Sequence, residues 1–214
     1  RFFKRIAACG GIVKKALLDG YIGIKFEAIC TDKKLPGPCK ELITAFKENG
    51  LRLLNYNMAP ANGGNMSTRF EKGFLITASG CNLGCVEDDE VTYVVEFSLE
   101  NKLVKYQGCC PPSSETFLHG LLYNEKADIL SVIHAHDEIA TSMMLSGVLD
   151  ETEREEPYGT VELAQLCLET FRKGNDIIVL KNHGYVAIGS SLTSAADTII
   201  DMHNHLVELK EKNA

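Results

Sequence analysis

Pairs of short apolar segments joined by tight turns run through the middle and the end of the chain, and they limit the fold more than any other feature. Three such pairs are predicted, over residues 64–80, 90–108 and 176–190, with turns at Glu71–Gly73, Glu100–Lys102 and Asn182–Gly184. Strands joined by connections this short must pair antiparallel. The sequence therefore predicts a largely antiparallel sheet.

Segments with helical spacing lie before, between and after these pairs. Predicted helices cover residues 1–19, 39–50, 113–125, 160–174 and 193–211, and a single strand over 128–136 leads into a helix through Met143–Met144. The second helix is expected to close at Asn49–Gly50, after a polar loop over residues 30–40 that is marked by Pro and Gly. Helices flanking an antiparallel sheet bury their apolar sides against its faces, so an α/β domain is expected.

Length and charge narrow the class of protein further. The chain has 214 residues, 45% of them hydrophobic and 24% charged, which is the balance of one soluble globular domain. Its net charge of −7 argues against nucleic acid or an anionic membrane as a partner. No run approaches the roughly 18 apolar residues of a membrane span, and no signal peptide is recognisable. We therefore expect a cytoplasmic protein.

The eight cysteines do not form a recognisable metal or disulfide pattern. Cys81 and Cys85 are four residues apart, Cys109 and Cys110 are adjacent, and the others are scattered. A structural zinc site built on cysteine needs paired CxxC motifs, which the chain lacks. Free thiols are the interpretation that the spacing favours.

The most informative polar residues are His134 and His136, in the segment "SVIHAHDEIA" at 131–140. Side chains alternate on a strand, so these two rings point the same way, about 7 Å apart along the backbone. Two such rings can converge on one metal ion. The alternative is a pair of polar residues where a strand meets water, and the dipeptide alone does not decide between them.

The same spacing recurs at His203 and His205, where the segment is helical. Two residues apart on a helix are about 200° apart around the axis, so these rings face opposite ways and cannot chelate one ion. We expect His203 at the edge of the core and His205 in solvent.

A third ligand is needed to complete a catalytic metal site. His183 is presented between Asn182 and Gly184 at a hairpin turn, and a set of three histidines leaves the open position that catalytic zinc requires. His119, four residues after Glu115, is the competing candidate for the third place.

Three stretches have the chemistry of an anion site. "GGN" (63–65) and "TASG" (77–80) offer backbone N–H groups with an amide or hydroxyls, and "PPSSE" (111–115) opens a helix. Ser113 and Ser114 therefore lie where unpaired N–H groups and the helix dipole favour a negative charge. Each stretch alone is more simply explained as a helix cap or a turn, whereas the combination of all three around one sheet indicates an anion site. Glu115 reads locally as a dipole partner, and beside a metal it becomes a candidate general base.

Five motifs in this order resemble one family, the class II aldolase/adducin family, over about residues 41–210. They are "GGNMSTR", "LITASGCNLG", "PPSSETFLHGLLY", "VIHAHD" and "KNHGYVAIG". The resemblance implies a single three-layer α/β/α domain around a mainly antiparallel sheet. It also implies a homotetramer with active sites between subunits.

The resemblance further implies a site and a reaction. Zinc, or another divalent metal, would be held by His134, His136 and His183, with Glu115 as acid/base and as an occasional fourth ligand. The positions that match the family's pocket for the substrate phosphate are Gly64, Asn65, Thr77, Ser79, Gly80, Ser113 and Ser114. The implied enzyme is a class II aldolase that cleaves a ketose 1-phosphate, such as L-fuculose 1-phosphate, to dihydroxyacetone phosphate and an aldehyde.

Other features distinguish members of the family. Glutamate at 115 favours an aldolase over pentulose-phosphate 4-epimerases, which tend to carry aspartate there, and dehydratases lack the full "SSE" pattern. A decarboxylase on the same scaffold and a non-catalytic adducin-head-like module remain alternatives. Tyr158 is the candidate second acid, although its offset from His136 does not match the aldolase pattern closely. We divide the chain into an N-terminal helical extension, 1–40, and an aldolase-like domain, 41–214.

Overall fold

One sheet organises the computed structural model, which describes residues 23–142 and 148–212 of the chain. In the described residues its strands are β1 (Glu27–Asp32), β2 (Asn65–Phe70), β3 (Gly73–Thr77), β4 (Val91–Ser98), β5 (Leu103–Gln107), β6 (Ser131–Ala135), β7 (Ile177–Leu180) and β8 (Gly184–Gly189). The α-helices are α1 (Cys39–Asn55), α2 (Thr116–Glu125), α3 (Glu138–Ser142), α4 (Val161–Phe171) and α5 (Leu192–Lys212). Two short 3₁₀ helices cover Leu83–Cys85 and Asp88–Glu90.

The strands follow the order β1-β5-β4-β3-β2-β6-β8-β7, and every pairing except the parallel β1–β5 pair is antiparallel. The three predicted hairpins are β2–β3, β4–β5 and β7–β8, and each pairs as expected. The prediction of a mainly antiparallel sheet is thus confirmed. The order also makes β2, β6 and β8 neighbours, which brings distant parts of the sequence together.

Helices cover both faces of the sheet, because the strands alternate their apolar side chains between the two sides. Leu75 of β3 packs in a cluster with residues of α1 and α5, whereas Phe74 and Ile76 pack in a second cluster with residues of α2 and α4. Two buried clusters separated by one sheet are the mark of three layers. The expected α/β/α architecture is confirmed.

Helix α1 continues past the predicted stop at Asn49–Gly50 and ends at Asn55. Gly50 is buried, and a Cβ on it would lie 1.9 Å from the carbonyl oxygen of Leu83. Glycine at this position therefore serves a close approach of the backbone rather than the end of the helix, and the sequence signal for a stop was misleading.

Strand β1 was not predicted, because its residues were assigned partly to a polar loop. It lies at an edge of the sheet with most of its side chains exposed, so it lacks the apolar alternation that reveals a buried strand. The helix predicted over 1–19 and the Met143–Met144 segment lie outside the described residues, and the division at residue 40 stays a prediction. No described helix combines the length and apolar character needed to cross a membrane.

Candidate metal centre and active site

Three histidines converge at one end of the central strands. His134 lies in β6, His136 follows the last residue of that strand, and His183 lies in the turn between β7 and β8. One ring nitrogen from each can be chosen so that all three atoms lie within 4.8 Å of one another. The ring centroids are 4.6–5.0 Å apart. The structure thus brings together the two rings expected from strand alternation and the third from the hairpin turn.

The backbone around these rings requires small residues. A Cβ on Gly184 would lie 2.3 Å from the carbonyl oxygen of Ala135, so glycine allows the turn that carries His183 to approach β6. A Cβ on Gly63 would lie 2.9 Å from Nδ1 of His136. Asn182 adopts a positive φ of 57°, a conformation that asparagine tolerates better than most residues. These three residues shape the space around the histidines.

The ring of His134 has a defined orientation. Its Nδ1 lies 2.8 Å from the carbonyl oxygen of Tyr185, which can only accept, so Nδ1 carries the proton and Nε2 presents a lone pair. That Nε2 is 3.0 Å from Nε2 of His136. Burial, and then the charges of neighbouring histidines, lowers the pKa of His134 well below 6.5 and also lowers the pKa of His136. Both rings are therefore neutral at pH 7, which is the form that binds a metal.

The remaining histidines take other roles. His119 is buried, with Nδ1 2.6 Å from Oγ of Ser67 and Nε2 2.5 Å from Oδ1 of Asn65, so both of its nitrogens are engaged away from the three-histidine group. His203 is partly buried and contacts Oδ2 of Asp137 at 2.9 Å, whereas His205 is exposed. The expectations for His203 and His205 are met, and His119 is not the third member of the group.

Glu115 reaches the histidines from the start of α2. It occupies the position just before the helix, is 4% exposed, and its Oε2 lies 3.5 Å from Nε2 of His134. The same oxygen accepts a hydrogen bond of 2.6 Å from the amide of Asn65. Oε1 is buried without a hydrogen-bond partner in the described part of the chain. A buried carboxyl group with one uncommitted oxygen thus adjoins the histidines.

The three stretches of the predicted anion site meet near Glu115. Ala78 bridges to Pro112, the backbone N–H of Ser79 donates to Pro111, and the N–H of Ser113 donates to Thr77. The N–H of Met66, next to Asn65, donates to the hydroxyl of Thr77 at 3.1 Å, which links the first stretch to the second. The predicted residues are therefore neighbours in space although they span fifty positions.

The side chains of these stretches differ in how many of their polar groups already form hydrogen bonds. Both ends of the Asn65 amide are used, by Glu115 and by His119. Oγ of Ser113 accepts from the N–H of Glu115 at 3.3 Å, while Ser114 is 7% exposed. Gly64 and Gly80 have positive φ values of 82° and 76°, which glycine adopts without strain. Ser113 therefore accepts a hydrogen bond from Glu115 and also belongs to the predicted anion site.

Tyr158 lies in the loop that precedes α4. It packs against the α2/α4 side of the core, and Nζ of Lys25 lies 4.6 Å from the centroid of its ring and donates to its backbone carbonyl. The next residue, Gly159, has a φ of 70°, and a Cβ there would lie 2.9 Å from the carbonyl oxygen of Ser114. Sequence reasoning missed Lys25, since nothing around residue 25 marks it as a contact of this loop.

The residues present fit a divalent metal ion. Two ligand atoms of a tetrahedral ion with bonds of 2.0–2.1 Å are separated by about 3.3 Å, and the Nε2 atoms of His134 and His136 are 3.0 Å apart. Three imidazoles suit zinc, and they also suit other late divalent metals. The unpartnered Oε1 of Glu115 is the kind of buried polar atom that a charged neighbour would satisfy.

Comparisons with known proteins show the family of the chain. A family model described as the Class II Aldolase and Adducin N-terminal domain matches residues 46–206. An L-fuculose phosphate aldolase of Methanocaldococcus jannaschii is 30% identical over 157 residues, which cover 67% of this chain and 82% of the relative. A methylthioribulose-1-phosphate dehydratase of Pseudoalteromonas translucida is 30% identical over 170 residues, which cover 71% of this chain and 78% of that protein.

Solved structures share the fold. A sugar-phosphate aldolase from Thermotoga maritima superposes with a TM-score of 0.70 at 18% identity, covering 82% of this chain and 96% of that one. An L-fuculose 1-phosphate aldolase superposes with a TM-score of 0.66 at 23% identity, covering 81% and 87%. The architecture described above is therefore one that solved proteins adopt over nearly their whole length.

Proposed function

The chain belongs to the class II aldolase and adducin family, and from that premise we propose that it is a zinc-dependent aldolase acting on a ketose 1-phosphate. One observation carries the proposal. Nitrogens of three histidines lie within 4.8 Å of one another, and the buried carboxyl group of Glu115 lies 3.5 Å from one of them. The family membership confirms the resemblance carried by the five sequence motifs. Relatives bear the names of aldolases and dehydratases, which are lyases.

His134, His136 and His183 would hold the ion, and Glu115 is the proposed occasional fourth ligand. When bound, a divalent metal supplies Lewis-acid stabilisation of the negative charge that develops on a substrate oxygen. Zinc is the metal that we propose, and another divalent ion could take its place.

Glu115 is the proposed acid/base. In the cleavage direction the bond between C3 and C4 of the ketose breaks, C4 becomes the aldehyde, and C3 takes up a proton next to the carbonyl carbon. Glu115 delivers that proton, and in the reverse direction it removes the proton from the same carbon of dihydroxyacetone phosphate. The uncommitted Oε1 supports this role, because an oxygen without a hydrogen-bond partner has a lone pair available.

The substrate phosphate is proposed to bind where the three stretches of the predicted anion site meet. The hydroxyl groups there lie beside the start of α2, where the helix dipole favours a negative charge. Ser113 and Ser114 are closest in sequence to Glu115, so a phosphate bound there would fix the distance to the reacting carbons. Proposed contacts are Gly64, Asn65, Thr77, Ser79, Gly80, Ser113 and Ser114.

Tyr158 is the proposed second acid, which would exchange the proton of the C4 hydroxyl group. The family that the five motifs resemble draws this tyrosine from a neighbouring subunit, and we propose the same for Tyr158. This role requires an oligomer, and a homotetramer in the cytoplasm is the form that we propose.

Three sister reactions use the same scaffold. The dehydratase relative favours loss of water from a methylthioribulose 1-phosphate-like substrate, and an epimerase or decarboxylase would use the same metal and carboxylate. A non-catalytic module is disfavoured, because such a module has no need of three converging histidines and a buried glutamate.

A coupled assay for dihydroxyacetone phosphate, run on a panel of ketose 1-phosphates, tests the proposal. We expect release from at least one ester, loss of release with a chelator, and recovery on adding zinc. Glu115→Gln should keep the metal and lose turnover. A dehydrated product formed without dihydroxyacetone phosphate would favour the dehydratase. Metal-loaded protein that cleaves no ester would overturn the proposed aldolase activity.

A further inference from the structure

A buried chain of hydrogen bonds runs from Glu115 into the protein interior. The amide of Asn65 is 2.6 Å from Oε2 of Glu115 and 2.5 Å from Nε2 of His119. Nδ1 of His119 is 2.6 Å from Oγ of Ser67, which is 2.7 Å from the hydroxyl of Tyr123. All five side chains are at most 5% exposed. The whole series of hydrogen bonds is therefore shielded from water.

The spacing of these residues explains how the chain forms. Glu115, His119 and Tyr123 are four residues apart along α2 and the turn before it, so they share one side of the helix and advance by about 6 Å at each step. Asn65 and Ser67 alternate on one side of β2 and advance by about 7 Å. The advance per step along the helix nearly equals the advance per step along the strand, so the polar side chains of the two elements interleave.

The direction of every hydrogen bond follows from the first. The NH₂ group of Asn65 donates to Oε2 of Glu115, so the amide oxygen, which only accepts, faces His119. The Nε2 atom of His119 must then carry a proton. Burial lowers the pKa of His119 to about 3, so the ring is neutral and its Nδ1 accepts from Ser67. Ser67 in turn accepts from Tyr123.

We propose that His119, Ser67 and Tyr123 are positioning residues, which hold the carboxyl group of Glu115 through Asn65 with Oε2 committed and Oε1 left for proton transfer. A glutamate side chain has three rotatable bonds, and the fixed amide of Asn65 removes that freedom at the carboxyl group. The inference rests on the proposed role of Glu115 in moving a proton. It assigns to Asn65 an orienting role in addition to any contact with phosphate.

The tautomer of His119 tests the donor-to-acceptor direction of these hydrogen bonds, and it can be measured without any substrate. In metal-free protein labelled with ¹⁵N-histidine, two-bond ¹⁵N–¹H correlation spectra distinguish the Nε2–H, Nδ1–H and doubly protonated rings, and His119→Gln identifies the His119 signals. We expect the Nε2–H form, unchanged between pH 8 and pH 5. A ring with the proton on Nδ1, or one that titrates in this range, would reverse or break the chain and overturn the proposal.

Two substitutions of one residue separate positioning from packing. His119→Gln keeps an N–H at the place of Nε2 and can still donate to Asn65, whereas His119→Asn is too short to do so. We expect His119→Asn to lower kcat about 100-fold with KM within about threefold of wild type, which is the scale of a misplaced catalytic group. His119→Gln should recover about tenfold or more of that loss.

Controls keep the outcome interpretable. Rates are normalised to folded, metal-loaded protein, and His205→Gln, on the exposed side of α5, should match wild type. Equal kcat values for the Asn and Gln variants would overturn the positioning role. If wild type cleaves no sugar phosphate but shows the Nε2–H form, the proposed function fails and the hydrogen-bond chain stands; an active wild type with the Nδ1–H form shows the reverse.

Discussion

The Nδ1 atom of His134 donates a hydrogen bond of 2.8 Å to the backbone carbonyl oxygen of Tyr185, the residue after Gly184 in β8. This bond fixes the ring and directs its Nε2 towards His136 and His183. The acceptor is a backbone carbonyl, which no side-chain substitution removes. The orientation of the His134 ring therefore depends on the pairing of β6 with β8. Metal affinity should therefore depend on the turn that brings the third histidine.

The first prediction concerns metal content. Wild type should bind about one divalent ion per chain, and His183→Ala should lose at least tenfold in affinity, because two imidazoles remain of three. Elemental analysis after dialysis against defined free zinc measures this. His205→Ala is the matched control and should bind like wild type, since its ring is exposed and is not one of the three converging histidines. Undiminished zinc affinity in His183→Ala would remove it from the ligand set.

The second prediction concerns stability in acid. The pKa of His119 is about 3 in the folded chain and about 6.5 when unfolded, so the unfolded state binds the extra proton as the pH falls between these values. The free energy of unfolding should therefore fall by about 1.4 kcal/mol per pH unit below 6.5 on account of this residue. Urea unfolding of metal-free wild type and His119→Gln at pH 7, 6 and 5 measures the difference between their slopes. Parallel pH profiles would contradict the expectation.

The third prediction concerns Gly184. A Cβ there would meet the carbonyl oxygen of Ala135 at 2.3 Å, so Gly184→Ala should push the β7–β8 turn away from β6 and destabilise the protein by about 2 kcal/mol. It should also weaken zinc binding through His183. Chemical denaturation and metal titration check both effects. Gly37→Ala, where a Cβ would have no atom within 4 Å, is the control and should change neither.

The fourth prediction distinguishes the two adjacent serines. Ser114→Ala should raise KM for a phosphorylated substrate about tenfold and leave kcat near wild type, as expected for loss of a binding contact. Ser113→Ala should also lower kcat, because its Oγ accepts the N–H of Glu115. Steady-state kinetics measure KM and kcat separately for each variant, with Ser98→Ala as a control outside the site. An unchanged kcat in Ser113→Ala would show that this hydrogen bond does not position Glu115.

The fifth prediction concerns the hydroxyl group of Tyr158. Lys25 contacts the ring and the backbone carbonyl of this residue, and Tyr158→Phe retains both groups. With rates normalised to folded, metal-loaded protein, kcat should fall about 100-fold or more if the hydroxyl exchanges a proton with the substrate. Full activity in Tyr158→Phe would assign the second acid to another residue.

Some of the site could be predicted from neighbouring residues alone. The strand around His134 and His136 makes their rings co-directional, and the helix around His203 and His205 separates theirs; both follow from the period of the local structure. The same periods predicted the hairpins and the two helix-covered faces. The edge strand Glu27–Asp32 escaped prediction, because a strand exposed to solvent does not need apolar alternation.

The sequence by itself thus determined most of the elements, the layers and the paired histidines His134 and His136, since each depends on residues within a few positions of one another. Local spacing left His183 and His119 as competitors for the third place, the family resemblance implied His183, and the tertiary structure brought the His183 ring to the other two. It also showed that Asn65 holds Glu115, fifty residues away, and that Tyr158 packs against Lys25. These contacts depend on strand order and on helix packing across the sheet, which local periodicity does not encode.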